Sequence, residues 1–332
     1  MTVNKINKTP RIAVIGGGTG SFTLLEKLKN YTPFISAIVN MSDDGGSTGR
    51  LRDEHGVLPP GDIRQCLVAL AQDPRVRDLF DFRFSKGQLA GHSAGNIILS
   101  ALELKYGDFN EAINTASSIL NIKGKVIPVT VQNHELVMND GGNEIVGEFN
   151  ISEHKIKNDF PRLHHSPLAM INESATVAIL NSDVVVIAPG NLYASLLPAL
   201  AVEGMSEALG RTKAKIIMVA NLVNKPGQTD NWHVADYLNE IESYIGEGAV
   251  DYLLYNTSPP TKELLSRYAQ DGEFPVYTND EKFKNIKAKF VGSDLLALDV
   301  RPQDKADQAV KRTLIRHDGD KVAKQIIKIC SL

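Results

Sequence analysis

Residues 42–64, SDDGGSTGRLRDEHGVLPPGDIR, hold the densest group of side chains suited to chemistry. They combine two adjacent carboxylates, Asp43 and Asp44, with five glycines and three arginines, and they show no apolar periodicity. Carboxylates can bind sugar hydroxyls, hold Mg²⁺ or act as a base, and arginines pair with phosphate oxygens. A surface loop with solvated charges explains any one of these residues, but their density predicts a binding loop. The candidate ligand contacts are Asp43, Asp44, Gly46, Gly61, Asp62 and Arg64.

A second glycine-rich turn, GGGTGS, lies between the apolar run RIAVI and the helical pattern LLEKLKN. Such a turn lets the backbone approach a phosphate, and the helix that follows adds free N–H groups and a favourable dipole. The dinucleotide fingerprint G-x-G-x-x-G is not matched, because Ser21 stands where its third glycine belongs. We predict a phosphate-bearing ligand here, in preference to a merely tight turn. The candidate contacts are Gly16, Gly17, Gly18, Thr19 and Gly20.

Two further polar turns precede predicted helices. GHSAGN, residues 91–96, offers His92 and Asn96 to a ligand, with a simple helix cap as the alternative. APGNLYAS, residues 188–195, follows an apolar strand and would open a second helix N-terminus toward the same crevice. Its tyrosine would either stack on a base or sugar or only pack in the core. The candidates from this turn and from the end of the next strand are Gly190, Asn191, Tyr193 and Asn221.

An alternation of buried strands and helices must position these turns. Strand, glycine turn, helix and the strand SAIVNMS are the opening of a doubly wound sheet, and run-like apolar strands indicate burial on both faces. KVIPVTVQ and HELVMNDGGNEIVGEFNIS predict additional β-structure with a turn near Asn139. We predict an α/β fold, a Rossmann-like doubly wound, mostly parallel sheet with helices on both faces and a small β-rich insertion.

The chain reads as one domain over residues 1–332. Its predicted parts are a glycine-loop half at 11–123, the β-rich insertion at 124–172 and a second α/β half at 173–332. Predicted helices cover residues 62–72, 93–106 and 109–120, and another runs from the turn at 188–195 to about 209.

Composition excludes several classes of protein. The formal net charge of −3 argues against a protein that coats nucleic acid. Two cysteines outside any C-x-x-C spacing fit a reducing compartment, and no apolar segment is long enough to cross a bilayer, so we expect a cytoplasmic protein. The sequence contains no histidine metal motif, nucleophile elbow or Walker lysine. We therefore expect no resident metal on these grounds.

Taken together, the motifs resemble the YvcK family, the bacterial gluconeogenesis-factor branch of the superfamily that also holds the CofD transferases. GGGTG, the 42–64 stretch, LAGHSAGN, GDFNEAI, APGNLY and NLVNKPGQTD occur in that family's order and spacing. The resemblance implies a Rossmann-like cytoplasmic protein that binds UDP-N-acetylglucosamine and acts in cell shape, wall precursor supply and growth on gluconeogenic carbon sources, with no established turnover. Protein partners and homo-oligomers stay open.

The same resemblance assigns roles to single residues. The glycine turn would face the diphosphate, Asp43 and Asp44 would contact hydroxyls, and the later turns would line the cleft. Tyr268 in LLSRYAQ and Arg316 in IRHDGDK resemble the family's ligand-contacting aromatic and arginine. One alternative is a CofD-like transferase that moves a phospholactyl-type group from a GDP-linked donor to a deazaflavin acceptor, with Mg²⁺ on Asp43 and Asp44. A nicotinamide-dependent oxidoreductase ranks last.

Overall fold

The structure is a computed structural model that describes residues 9–158, 161–284, 286–297 and 314–331. Seven strands in these residues form one parallel sheet, and three others form a small antiparallel sheet. The strands are β1 (Ile12–Gly16), β2 (Ile35–Val39), β3 (Lys125–Pro128), β4 (Glu135–Asp140), β5 (Asn143–Val146), β6 (Arg162–Ser166), β7 (Val184–Ile187), β8 (Lys215–Val219), β9 (Tyr252–Asn256) and β10 (Lys289–Ser293).

Helices lie around the large sheet. They are α1 (Gly18–Leu28), α2 (Gly46–His55), α3 (Gly61–Leu70), α4 (Pro74–Asp81), α5 (Ala94–Tyr106), α6 (Phe109–Leu120), α7 (Glu148–Glu153), α8 (Glu173–Leu180), α9 (Leu197–Leu200), α10 (Met205–Arg211), α11 (Val234–Ile245), α12 (Lys262–Gln270) and α13 (Gly319–Cys330). A π-helical turn spans Leu192–Leu196, and a 3₁₀ turn spans Asp280–Phe283. α1 packs against α3 and α13, whereas α11 packs against α9 and α10.

The strand order of the large sheet is β10-β9-β8-β7-β1-β2-β3. The chain starts at the centre, builds outward through β2 and β3, and then returns to the other side of β1 with β7. Strand order therefore reverses between β1 and β7, and open α/β sheets bind ligands at the carboxyl ends of their strands beside such a switch point. All residues of β1 and β7 are buried, as their continuous apolar runs predict for a covered parallel sheet. This architecture confirms the predicted α/β fold class.

The β-rich insertion is also present. β4 lies between β5 and β6, with Asp140 opposite Asn143 at the hairpin end. Gly141 and Gly142 both have positive φ, at 62° and 92°, as a two-residue hairpin turn of this hand requires. The small sheet leads into α7, which lies beside the large sheet's carboxyl edge through its packing on the π-helical turn. The division of the chain into 11–123, 124–172 and 173–332 stays a prediction.

Two local expectations were wrong. The binding loop is not irregular throughout, because α2 covers its Gly46–His55 part. This helix is strongly polar and has little apolar stripe for a sequence pattern to reveal; it ends at Gly56, whose φ of 68° suits a left-handed C-cap. The single helix expected up to about residue 209 is broken into the π-helical turn, α9 and α10. Gly204, at φ 90°, interrupts it before α10.

Candidate functional site

The glycine turn between β1 and α1 meets the start of α3 at the switch point. The Gly18 backbone N–H donates a hydrogen bond to the Asp62 carboxylate, so Asp62 occupies part of the N-terminus of α1. A Cβ on Gly17 would lie 2.1 Å from Asp62 Oδ2, and only glycine permits that approach. The turn between β1 and α1 and the start of α3 are therefore held together at the carboxyl edge of the sheet.

Asp43 approaches the same point from the end of β2. Its Oδ1 accepts a hydrogen bond from the Gly45 N–H at 3.0 Å, and the Thr48 hydroxyl donates to the same carboxylate. A Cβ on Gly61 would lie 2.5 Å from Asp43 Oδ2. The start of α3 therefore brings Asp43 and Asp62 into one site.

Burial and mutual repulsion perturb both carboxyl groups. Burial raises the pKa of Asp62 to about 7, the nearby Asp43 adds to the rise, and the hydrogen bond from Gly18 opposes it. The pKa of Asp43 is also raised, mainly by burial, against the hydrogen bonds from Gly45 and Thr48. Asp62 is therefore partly protonated near neutral pH, and the pair would gain from a cation placed beside it.

Asp44 takes a different direction from Asp43. Its Oδ2 accepts from the Glu148 N–H at 2.9 Å and its Oδ1 from the Phe149 N–H at 2.8 Å, so its carboxylate holds the first turn of α7. Adjacent residues of an extended segment point to opposite sides, which explains why the carboxylates of Asp43 and Asp44 point in different directions. The carboxyl that meets Asp43 at the start of α3 is that of Asp62, while both oxygens of Asp44 accept from α7. The Asp43–Asp44 pair expected for Mg²⁺ stays a prediction.

The first turn of α1 also contacts the loop after β7. A Cβ on Gly20 would lie 1.8 Å from the Pro189 carbonyl oxygen, so the two turns on either side of the switch point touch through backbone. Gly16 ends β1, and its carbonyl accepts from the Asn40 N–H at 3.0 Å. Thr19 is exposed in the first turn of α1, where its side chain is accessible to a ligand.

The turn after β7 is held by Asn221, which follows β8, and by its own Asn191. Asn221 accepts from the Gly190 N–H at 3.4 Å and donates to the Gly190 carbonyl at 2.8 Å. Asn191 Oδ1 accepts from the Ala194 N–H at 3.3 Å and so begins the π-helical turn. Tyr193 is fully buried, and its hydroxyl has no hydrogen-bond partner in the described part of the chain. The structure thus leaves Gly190, Asn191 and Asn221 at the edge and sets the Tyr193 ring in the core.

Three predicted site residues, Arg64, His92 and Asn96, belong to a neighbouring polar network. Buried Arg64 donates from Nε to Asn96 Oδ1 at 3.0 Å and forms an ion pair with Asp81. His92 Nδ1 lies 2.9 Å from Ser47 Oγ, which also accepts from Asn96 Nδ2 at 3.2 Å. These contacts join α2, α3 and α5 beneath the loop. Gly46 opens α2 with a φ of 46° and has open space around it.

A cleft of about 220 Å³ continues the site past Asn221. Its walls come from the carboxyl ends of β8 and β9, from α12 and from Leu296. Behind Leu296 lies Tyr268, whose buried hydroxyl accepts from the Ile315 N–H at 2.8 Å. The Arg316 carbonyl accepts from the Ala297 N–H at 3.0 Å, which draws the segment carrying Arg316 to the same wall. Residues far apart in sequence are brought together here.

Comparison with known proteins identifies the family. The family model described as 2-phospho-L-lactate transferase CofD matches residues 12–296. The putative gluconeogenesis factor of Thermotoga maritima is 39% identical, with 96% of this chain and 99% of the relative covered. The gluconeogenesis factor of Bacillus subtilis is 35% identical, with 98% and 99% covered. The chain belongs to the CofD-like family, in its gluconeogenesis-factor branch.

A solved structure supports the same CofD-like assignment. The crystal structure of a UPF0052 family member from Bacillus halodurans superposes with a TM-score of 0.87 at 34% identity, and 96% of this chain and 99% of that chain are covered. The expected resemblance to the YvcK branch of the family is thereby confirmed.

Within this CofD-like chain, the sequence did not reveal that Glu148 lies within electrostatic reach of Asp43 and Asp62. It sits in the insertion, about a hundred residues after Asp44, and no motif or spacing marks it. Among the described residues, no helix combines the length and the apolar character that crossing a membrane requires. In the same residues, no group of three or more His, Cys, Asp or Glu side chains is arranged to hold a metal ion.

Proposed function

We propose that this chain binds a nucleotide sugar of the UDP-N-acetylglucosamine type and acts as a cytoplasmic regulator without turnover. The regulated processes would be cell shape, wall precursor supply and growth on gluconeogenic carbon sources. The observation that carries the proposal is the contact between the glycine turn of α1 and the Asp43–Asp62 pair at the switch point. Open α/β sheets place the diphosphate of a dinucleotide at such a turn.

The neighbouring cleft supports a nucleotide over a simple anion. It begins at Asn221, beside the turn that would face the diphosphate, and it is lined by apolar side chains and by polar groups such as Asn256 and Ser258. A volume of about 220 Å³ suits a base or a ring-sized group rather than a whole nucleotide sugar. We therefore place the nucleoside toward β8 and β9, and the sugar toward Asp43 and Asp62.

A diphosphate at the glycine turn requires that its repulsion with the Asp62 carboxylate be relieved. A diphosphate at α1 would lie beside the Asp62 carboxyl, and two negative groups there repel one another. The raised pKa of Asp62, near 7, lets a proton relieve the repulsion around neutral pH. Arg316 would supply counter-charge from the cleft wall.

A CofD-like transferase is the second candidate, and the Asp43–Asp62 pair is the observation that favours it. Paired carboxylate oxygens fit the ligand preference of Mg²⁺, so Asp43 and Asp62 would hold it. Bound there, Mg²⁺ would supply charge neutralisation for a nucleoside diphosphate. The chain's own contribution would be to orient the donor through the glycine turn.

Isothermal titration calorimetry separates these functions. The wild-type protein is titrated with UDP-N-acetylglucosamine, with GDP plus Mg²⁺ and with NAD, and Arg316→Ala is compared with Arg211→Ala, a change at an exposed arginine of α10. Binding of the uridine sugar that is weakened in Arg316→Ala and kept in Arg211→Ala supports the regulator. Binding of GDP with Mg²⁺ alone would refute it and favour group transfer. No heat with any titrant would refute both.

A further inference from the structure

The short helix α7 is clamped at both ends by loops that follow different strands of the large sheet. Asp44, from the loop after β2, accepts the N–H groups of Glu148 and Phe149. Gln228, from the loop after β8, donates from Nε2 to the carbonyls of Ile151 at 2.7 Å and His154 at 3.0 Å. The two strands lie on opposite sides of the switch point. α7 therefore bridges the carboxyl edge of the sheet.

Several contacts make this position well defined. Gln228 is buried, and the N–H of Ile156, just beyond α7, donates to the Gly227 carbonyl at 2.8 Å. A Cβ on Gly147 would lie 2.6 Å from Asp44 Oδ2, so the backbone before α7 runs directly against that carboxylate. α7 also packs against the π-helical turn that follows the Gly190 loop. The small sheet thus delivers one fixed helix to the candidate site.

Glu148 is the first residue of the helix that this clamp holds at the carboxyl edge of the sheet. Its own N–H is bonded to Asp44, and its half-buried side chain shares its surroundings with Asp43 and Asp62. Burial, and then the charges of these acids, raise the pKa of Glu148 to about 8, against the opposing effect of Lys225. A third carboxyl group, from helix α7, is therefore close enough to interact with the pair.

We propose that the Glu148 side chain contacts the hydroxyl groups of the sugar in the bound nucleotide sugar. Helix α7 is the element that positions Glu148. The proposal rests on the proposed function, since it assigns a sugar subsite within the same cleft. A carboxylate oxygen accepts from a hydroxyl, and a sugar offers several hydroxyl donors. A diphosphate offers acceptors only, so an acidic wall suits the sugar end.

The test compares two ligands that differ only in the sugar. UDP-N-acetylglucosamine and UDP are titrated by calorimetry into wild type, Glu148→Ala, Glu148→Gln and Glu153→Ala. Glu153 lies at the other end of α7 and is exposed, so its removal controls for the loss of a carboxylate from the same helix. Thermal unfolding of each variant confirms that the fold is intact.

We expect Glu148→Ala to bind the uridine sugar about 10- to 100-fold more weakly and UDP unchanged, as the loss of a hydrogen bond to a charged or polar partner predicts. Glu148→Gln should fall between it and wild type, and Glu153→Ala should match wild type. Equal weakening for both ligands, or no weakening for either, would overturn the sugar contact while leaving the proposed function standing. If the wild type bound neither UDP-N-acetylglucosamine nor UDP, the proposed function would be overturned, and this inference with it.

Discussion

Removing the Asp44 carboxylate should loosen α7 before it affects the rest of the chain. In Asp44→Ala, the Glu148 and Phe149 N–H groups lose acceptors at 2.9 and 2.8 Å. A hydrogen bond to a charged acceptor is worth about 1.5–3 kcal/mol when buried, and loss of a helix cap costs about 0.5–2 kcal/mol. Because Phe149 is exposed and water can replace part of the loss, we expect about 2 kcal/mol for the two bonds together.

Hydrogen exchange measures that cost where it arises. A local loss of about 2 kcal/mol corresponds to roughly 30-fold faster exchange, since each 1.4 kcal/mol is about tenfold. The effect should appear at the amides of Glu148 and Phe149 and leave those of β1 unchanged. If the cost reached global unfolding, an entropy of about 2.1 cal/mol/K per residue over 332 residues would limit the change in Tm to about 3 °C.

Matched variants make the outcome decisive. Asp44→Asn keeps one carbonyl acceptor and should show about half the effect, whereas Asp53→Ala removes an exposed carboxylate from α2 and should show none. Unchanged exchange at Glu148 and Phe149 in Asp44→Ala would refute the clamp. If Asp44→Ala lost ligand binding while the amides of α7 kept their protection from exchange, Asp44 would be a direct ligand contact instead.

Two further predictions concern charged groups away from the sugar subsite, the buried Arg64 and the half-buried Glu103. Arg64→Met removes the ion pair with Asp81 and leaves Asn96 Oδ1 unpaired, so urea unfolding should show a loss of about 2–3 kcal/mol; an unchanged midpoint would contradict the structural role. Burial raises the pKa of Glu103 to about 7 while it accepts from the Leu58 N–H, so the wild type should lose stability relative to Glu103→Gln as pH rises from about 5 to 8. An equal difference in unfolding free energy at both pH values would argue against this.

The sign of the Glu103 effect follows from linkage. Its pKa is higher in the folded chain than in the unfolded chain, so the folded state binds the proton more tightly. The resulting stabilisation is complete below the unfolded pKa and is lost as pH rises through about 7. Glutamine cannot titrate but still offers an oxygen to the Leu58 N–H, so the variant should lack this pH dependence.

The helices that were predicted from sequence share a clear local signal. The Phe109–Leu120 helix was predicted to the residue, because Asp108 supplies an N-cap and the apolar positions recur at helical spacing. α2 carries no such stripe, and nothing in its local sequence separates it from a polar loop. Its first residue needs a positive φ, and Arg52 near its end donates to the His134 carbonyl in another part of the fold. Contacts of that kind leave no periodic trace in a sequence.

The sequence by itself determined the sheet, the glycine turn and the family, because buried strands are apolar runs and a turn that approaches a phosphate needs glycine. It also named Asp43, Asp44, Asp62 and Arg64 as the charged residues of the binding loop. Only the tertiary structure decided their partners. Asp43 faces Asp62, Asp44 holds α7, and Arg64 is paired with Asp81. Those choices depend on how β2, α3 and the insertion meet at the sheet's edge, and contacts between such separate elements are set by packing rather than by local spacing.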